Sequence, residues 1–184
     1  MRAARFRLAL SMAAVLSALV LTGCEPAAEP RPTPTPTATP VFASDEEALA
    51  AAEKAYAAYL AVDDGVSRDG GRNSDRYKDV ATGQVLADAL STAAQLQSLG
   101  AHTTGTSTFR TYKLESADYR DARAVTIRIY VCDDVSGTNL IDAEGHSMVK
   151  PDRNPITPFV VGATSNGGKI RVSERELWTS GNFC

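Results

Sequence analysis

The residues of this chain with chemistry to offer are its histidines, several local groups of carboxylates and a few tyrosines. The two histidines are His102 and His146. His102 follows the end of a helical stretch, where its charge favours the C-terminal dipole. His146 falls in a turn rich in Asp, Glu and Gly. Zinc demands three or four ligands at characteristic spacing, and neither histidine has them, so no metal site is expected. The carboxylates fall together as Asp63/Asp64, Asp133/Asp134, Asp142/Glu144 and Glu174/Glu176. Under strict alternation Ile170, Val172, Glu174, Glu176 and Trp178 share one face of a strand. Were that face to line a pocket, desolvation would raise a carboxyl pKa there. The plainer outcome, and the expected one, is a bulge at Ser173 that turns both glutamates to water. There, beside Arg171 and Arg175, they would make exposed charge pairs. Asp133 and Asp134 follow a strand and are expected to cap the next turn through Asx hydrogen bonds. Asp63 and Asp64 are expected to form a solvated helix exit. Tyr56 with Tyr112 would present hydroxyls to a pocket, although filling the core is the simpler role. The candidate pocket set is therefore Tyr56, Tyr112, Glu174, Glu176 and Trp178. There is no Ser/His/Asp order and no phosphate-cradling glycine loop, so no catalytic residue and no cofactor is expected.

The first residues read as an export signal. Met1-Arg2-Ala3-Ala4-Arg5-Phe6-Arg7 is a basic head, and Leu8–Leu21 is an apolar run. That run suits a signal h-region and is too short to span a bilayer. Leu21-Thr22-Gly23-Cys24 follows, and the chain then turns abruptly polar. This stretch resembles a bacterial lipobox, which implies cleavage before Cys24 and acyl chains on its thiol. Removing residues 1–23, with Arg2, Arg5 and Arg7, takes the net charge from −3 to −6. A mildly acidic chain without a Lys/Arg cluster has no electrostatic footprint for nucleic acid or for anionic lipid headgroups. Attachment would therefore rest on the acyl chains, two or more being needed for stable anchoring. No later segment approaches 18 apolar residues, so no further membrane span is expected.

Residues 24–43 read as the lipidated Cys and a tether. Six of the nine prolines lie here, interleaved with Thr and Ala. Such a segment favours extended polyproline II, roughly 3.1 Å per residue, and would hold the rest some 50 Å from the membrane. Residues 44–184 form a single domain long enough to bury a core.

Within it, Ser44-Asp45-Glu46-Glu47 is a capping box. Leu49, Ala52, Tyr56, Tyr59 and Leu60 keep helical spacing to about Val62, with Asp63-Asp64-Gly65 as the stop. A polar loop occupies Ser67–Ser74, and a short helix falls around Asp75–Val80. Gln84–Leu99 is a helix with Leu86, Leu90, Ala93 and Leu96 or Gln97 on one face and Gly100 after its end. From Gly100 onward the pattern is β: Thr103–Ser116, Ala122–Cys132, Leu140–Ala143, Ile156–Thr164 and Lys169–Trp178. The last two form a hairpin across Asn166-Gly167. Val125, Ile127, Ile129 and Val131 share one face. Helices first and a meandering antiparallel sheet afterwards define an α+β fold, the helices packed on one face of a curved sheet.

These elements, with Val131-Cys132-Asp133-Asp134-Val135-Ser136, Asp142-Ala143-Glu144-Gly145, Trp178 and terminal Cys184, resemble the actinobacterial surface lipoproteins with a nuclear-transport-factor-2-like domain. The resemblance implies a cone-shaped α+β fold. That superfamily mixes isomerases, cyclases and non-enzymatic modules, so fold does not hand over function.

With Cys24 taken by lipid, Cys132 and Cys184 are the remaining pair, in a compartment that permits disulfides. Closing the 53 residues from Cys132 to Cys184 would stabilise by about 4 kcal/mol in the loop-entropy model. It would also pin Trp178 and Phe183 onto the central strand. The expectation is a non-enzymatic, lipid-anchored module at the outside of the cytoplasmic membrane that binds a protein or a small apolar ligand. Two alternatives stand beside it. One is an isomerase- or cyclase-type enzyme using a pocket carboxylate in the cone. The other is an accessory subunit of an envelope transport or secretion machine.

Overall fold

Helix α1 (Asp45–Arg68) starts where the capping residues place it. Ser44 accepts from the Glu47 amide, and the Glu47 carboxylate accepts from the Ala43 amide at 2.9 Å. Asp45, Glu46 and Glu47 fill the first turn and Arg68 the last, matching the helix dipole. The computed structural model describes residues 40–184. The signal-like segment, Cys24 and the tether up to Thr39 lie outside the described residues. Of the remaining tether, the Val41 amide donates to the Tyr119 carbonyl at 3.0 Å and Phe42 packs edge-on against the Tyr119 ring.

Contrary to expectation, α1 does not stop at Asp63-Asp64-Gly65. A glycine inside a helix costs about 1 kcal/mol, and the chain offsets it by burying Val66 completely one residue later. Asp64 is buried rather than solvated, its oxygens taking the amide and hydroxyl of Ser107 at 2.8–3.2 Å. The 3₁₀ helix Ser74–Asp79 follows and buries Tyr77. Helix α2 (Gly83–Leu99) ends at Gly100, whose φ of 62° is left-handed and whose amide returns to the Leu96 and Gln97 carbonyls. Its buried stripe is Val85, Ala89, Ala93 and Leu96. That stripe is turned slightly from the anticipated one, leaving Leu86 and Leu90 half-buried beside the core.

The strands are β1 (His102–Thr104), β2 (Thr108–Asp118), β3 (Val125–Asp134), β4 (Asn139–Ile141), β5 (Ile156–Ser165) and β6 (Arg171–Leu177). Four of them form an antiparallel sheet in the order β2-β3-β5-β6, and β1 pairs with β4 in a separate ribbon. The run expected as one strand from Thr103 is thus divided between two sheets. Strands β3 and β5 pair without interruption from Val125↔Ser165 to Asp134↔Ile156. Both helices cover one face of the curved sheet, and Val125, Ile127, Ile129 and Val131 point into the layer between them with Val161 and Val172. The fold is therefore α+β, helices packed on one face of an antiparallel sheet.

Strand β6 carries the irregularity on which the site depends. Ala163 pairs with Val172 and Gly162 with Glu174, so Ser173 is an extra residue. A bulge of this kind shifts the side-chain alternation by one position. Val172 is fully buried on the helix side, and beyond Ser173 it is Arg175, not Glu174, that faces the helices. Gly162 permits the arrangement on the other face, because a Cβ there would lie 2.9 Å from the Cβ of Glu174.

Cys132, on the face turned away from the helices, is bonded to Cys184, with Cα atoms 5.6 Å apart. Among the described residues, no helix is long and apolar enough to cross a membrane.

Candidate functional site

Three side chains from three elements converge between the helices and the sheet. Tyr56 comes from the buried face of α1, Asp133 from the end of β3 and Arg175 from β6 beyond the bulge. The Tyr56 hydroxyl donates to Asp133 Oδ2 at 2.6 Å. Arg175 donates through Nη2 to the same oxygen at 2.6 Å and through Nε to the Tyr56 oxygen at 3.0 Å. The guanidinium also lies 3.7 Å from the centre of the Phe159 ring, a cation–π contact. Phe109 closes the other side, edge-on to Tyr56 at 4.9 Å. Tyr56 is fully buried and the Asp133 side chain is 4 % exposed, whereas that of Arg175 keeps 30 % of its surface.

Electrostatics follow from burial. Desolvation holds the Tyr56 hydroxyl well above the ordinary phenol range, Arg175 pulling against it and Asp133 adding to it. Tyr56 therefore stays protonated and serves as a donor to Asp133. Burial disfavours the charge on Arg175, but Tyr56 and Asp133 more than restore it. Asp63 behaves differently. Burial raises its pKa, and the hydroxyl of Tyr77, which donates at 2.6 Å, only partly opposes the shift. Tyr77 and Tyr59 are raised in turn, first by burial and then by the nearby Asp63.

Tyr59, Asp63, Asp133 and Arg175 border a cavity of about 230 Å³. Tyr59 and Asp63 of α1 form one wall, and Asp88, Ala89 and Thr92 of α2 another. Leu60, Ser107, Asp133, Val135 and Arg175 line the rest. One oxygen of Asp133, Oδ1, is buried without a hydrogen-bond partner. Among the described residues, no group of three or more His, Cys, Asp and Glu side chains is placed to hold a metal ion.

The expected pocket set is divided between the two faces of the sheet. Tyr56 is in the buried network. Tyr112 and Trp178 lie on the face away from the helices, beside a separate cleft with Tyr130 and Phe183. Tyr112 stacks on Phe183 with ring centres 5.1 Å apart, and Tyr130 meets Trp178 edge-on at 5.2 Å. Glu174 is on that outer face too, joined with Glu115 to Arg128, and Glu176 is exposed. The expectation that Arg175 makes an exposed charge pair is corrected, since the bulge sends it inward. The Asx reading holds for Asp134, which accepts from the Ser136 amide at 2.8 Å, and fails for Asp133. The signal for Asp133 was present in the alternation: it continues the Val125–Val131 face by one more step. Asp63 and Asp64, expected in solvent, are at or near the cavity because α1 continues past them. His102 opens β1, and His146 stays in its turn with Nδ1 3.5 Å from Asp142.

No protein-family model and no curated protein matches the chain. Among solved structures, the intermembrane space region of the chloroplast protein ARC6 is similar at a TM-score of 0.51 and 15 % identity, over 70 % of this chain and 95 % of that one. At that identity the likeness concerns the α+β fold alone. A de novo designed β-sheet protein aligns at a TM-score of 0.26 and 12 % identity, over 72 % of this chain and 91 % of that one, which bears on neither fold nor function.

Proposed function

We propose that this chain is a non-enzymatic, lipid-anchored module, held at the outside of the cytoplasmic membrane by acyl chains on Cys24, that binds a small polar ligand between its helices and its sheet. The observation that carries the binding half is the buried Tyr56–Asp133–Arg175 network beside a cavity of about 230 Å³. Buried charges are costly unless paired, and a fold that needed only stability would fill this space with apolar side chains. Asp63, Asp88, Asp133 and Arg175 share the cavity wall with Leu60, Ala89 and Val135, which favours an occupant with a polar group over the wholly apolar one the sequence suggests. The anchoring half rests on the lipobox-like Leu21-Thr22-Gly23-Cys24, and the Cys132–Cys184 bond suits an oxidising compartment. We take the α+β fold to be a nuclear-transport-factor-2-like cone, a reading that helices covering one face of a curved antiparallel sheet support.

Cells expressing wild type and Cys24→Ala decide the anchoring. Wild type should sediment with membranes without detergent and the variant should not; a variant that stays on membranes ends the anchor assignment. For binding, native mass spectrometry of the full chain should resolve a non-covalent adduct that disappears on denaturation. Full occupancy by the bare protein alone would count against a ligand.

A second reading is favoured by one observation. Asp63 sits at the cavity wall with a pKa raised by burial, as a general base working near neutral pH requires. In an isomerase-type enzyme it would take a proton from the ligand while Arg175 stabilised the developing charge. A co-purified ligand that wild type transforms and Asp63→Asn does not would replace the first reading with this one.

A further inference from the structure

Strand β2 has irregularities of its own, and they act on the sheet face away from the helices. Thr111 pairs with Val131 and Lys113 with Tyr130, so Tyr112 is an extra residue; Leu114 pairs with Ile129 and Ser116 with Arg128, so Glu115 is another. Side chains opposite one another share a face. Lys113 therefore stands with Tyr130 on the outer side, while Leu114 joins Ile129 against the core. Neighbours in a regular strand point to opposite faces, and the bulge at Tyr112 suspends that rule. Tyr112 and Lys113 both flank one outer cleft of about 350 Å³, together with Tyr130.

The cleft offers a ring face and donors. Tyr112 stacks on Phe183 at 5.1 Å and 25° and is still 58 % exposed. Tyr130, Trp178 and Phe183 meet one another at 56–86°, their faces and edges spent within the cluster. Lys113 Nζ lies 5.3 Å from the centre of the Tyr130 ring and 5.9 Å from that of Tyr112. Among the described residues it forms no ion pair, because the Glu115 carboxylate is spent on Arg128 and Tyr130. Asn182 Oδ1 accepts from the Cys184 amide at 2.8 Å, which leaves the side-chain NH₂ to donate. Ser180 adds a hydroxyl, and no carboxylate is on the lining among the described residues.

Donors and an unpaired positive charge fit an acceptor-rich anion, and an open ring face beside them fits a flat apolar surface on the same molecule. A wholly apolar segment would strip water from Lys113 and Asn182 and replace none of its hydrogen bonds. A planar aromatic acid would answer the ring and the charge, but its edge has nothing to pair with Asn182 and Ser180. A pyranose with a carboxylate answers all three, through a face of C–H groups, hydroxyls around the rim and a negative charge. Size agrees: at roughly 30 Å³ for each liquid water, 350 Å³ holds the equivalent of about twelve waters, close to one sugar ring with its substituents.

We infer that this outer cleft binds a single sugar ring bearing a carboxylate, of the uronic acid type, with its C–H face on Tyr112, its carboxylate at Lys113 and a hydroxyl taking an N–H of Asn182. The site is distinct from the cavity between helices and sheet and does not rest on it.

The test titrates the isotope-labelled full chain with the methyl glycosides of glucuronic and galacturonic acid, and separately with methyl glucoside, benzoate and octaproline, followed by amide NMR. At least one uronide should give saturable shifts at Tyr112, Lys113, Asn182 and the indole N–H of Trp178, with the amides of Tyr56 and Asp63 unmoved. Methyl glucoside, which carries no charge, should bind about fivefold more weakly, the upper end of what an exposed ion pair gives. Lys113→Gln should bring the uronide down to the affinity of the glucoside, and Tyr112→Ala should abolish the shifts from both. Both residues are exposed, so each variant should keep the urea midpoint of wild type to within the small change of a surface substitution. If benzoate saturates the cleft as well as the uronide does, the ligand is not a sugar. If octaproline does so in place of the uronide, the cleft is a groove for a polyproline II segment. Either result overturns the proposal, as does the absence of saturable shifts with both uronides, or uronide binding that survives Lys113→Gln or Tyr112→Ala unchanged.

Discussion

Tyr56, Asp133 and Arg175 form a closed triangle in which each group satisfies a need of the other two. Asp133 is tolerable inside because it receives two donors, and Arg175 because it has a carboxylate, a phenol oxygen and a ring face. Removing one corner should therefore cost more than the bond it made. Breaking a fully buried ion pair costs about 3–5 kcal/mol; with 30 % of the Arg175 side chain exposed, Arg175→Ala should fall near the lower end, about 3 kcal/mol. Tyr56→Phe deletes two hydrogen bonds to charged groups, the one it gives Asp133 and the one it takes from Arg175, and should cost about 2–4 kcal/mol. Since both donors share Oδ2, the double variant should depart from additivity, and urea unfolding of all four proteins measures the coupling. Asp63 supplies a prediction of opposite character. Its folded pKa stands above the ordinary 3.8, so between the two values the folded chain holds a proton that the unfolded chain releases. Its contribution to stability is complete below the unfolded value and is lost as pH rises through the folded one. Asp63→Asn, which can still accept from Tyr77, removes that loss. The urea midpoint of the variant should gain on wild type as pH rises from about 4 and then level off. A gap that shrinks with pH would mean that Asp63 is held ionised instead.

At the scale of elements, the site depends on an extra residue in β6. Ser173 stands between Val172, paired with Ala163, and Glu174, paired with Gly162. Deleting it would restore a regular ladder in which Val172 still faces inward, Glu174 outward and Arg175 inward. The deletion should thus be tolerated, with the Tyr56–Arg175 proximity kept in NOE spectra and a loss of roughly 1–2 kcal/mol, within the range of ordinary substitutions. If instead the deletion sends Arg175 to solvent, the bulge has been misassigned. The same strand shows where sequence reading succeeds and where it stops. The Ser44 cap, the glycine after α2 and the alternation from Val125 to Val131 are local signals, and they appear in the fold as local physics dictates. Asp133 is legible as the next inward step of that alternation once β3 runs on past Cys132 to Asp134. The bulge at Ser173 is the one the sequence leads one to expect, but pairing Arg175 with the exposed glutamates overlooks that a residue between two outward side chains must face inward. What the strand's own sequence does not show is the partner's part, the absence of a Cβ at Gly162 that lets Glu174 lie against it. The length of α1 escaped for a related reason. Asp63-Asp64-Gly65 reads as a stop until Tyr77 and Ser107, remote in sequence, supply partners for the aspartates.

Across the whole molecule the two faces of the sheet do different work. One is sealed by helices and holds the buried network. The other is covered by no helix among the described residues and in part by the chain's own tail, fastened by Cys132–Cys184 across 52 positions. The tail brings Phe183 onto Tyr112, Tyr130 and Trp178, with ring centres 5.1–6.2 Å apart. Opening the bond should therefore release one face and leave the other intact. Cys184→Ser should lower stability by about 2–4 kcal/mol, as removal of a loop constraint of this length predicts. Trp178 is the single tryptophan, so its emission reports the tail directly. It should shift to the red in Cys184→Ser and in reduced wild type at denaturant concentrations where both remain folded. The amide resonances of Tyr56, Asp133 and Arg175 should hardly move, because the cavity lies across the sheet from the tail. Unchanged Trp178 emission would show that the aromatic packing, and not the disulfide, holds the tail in place.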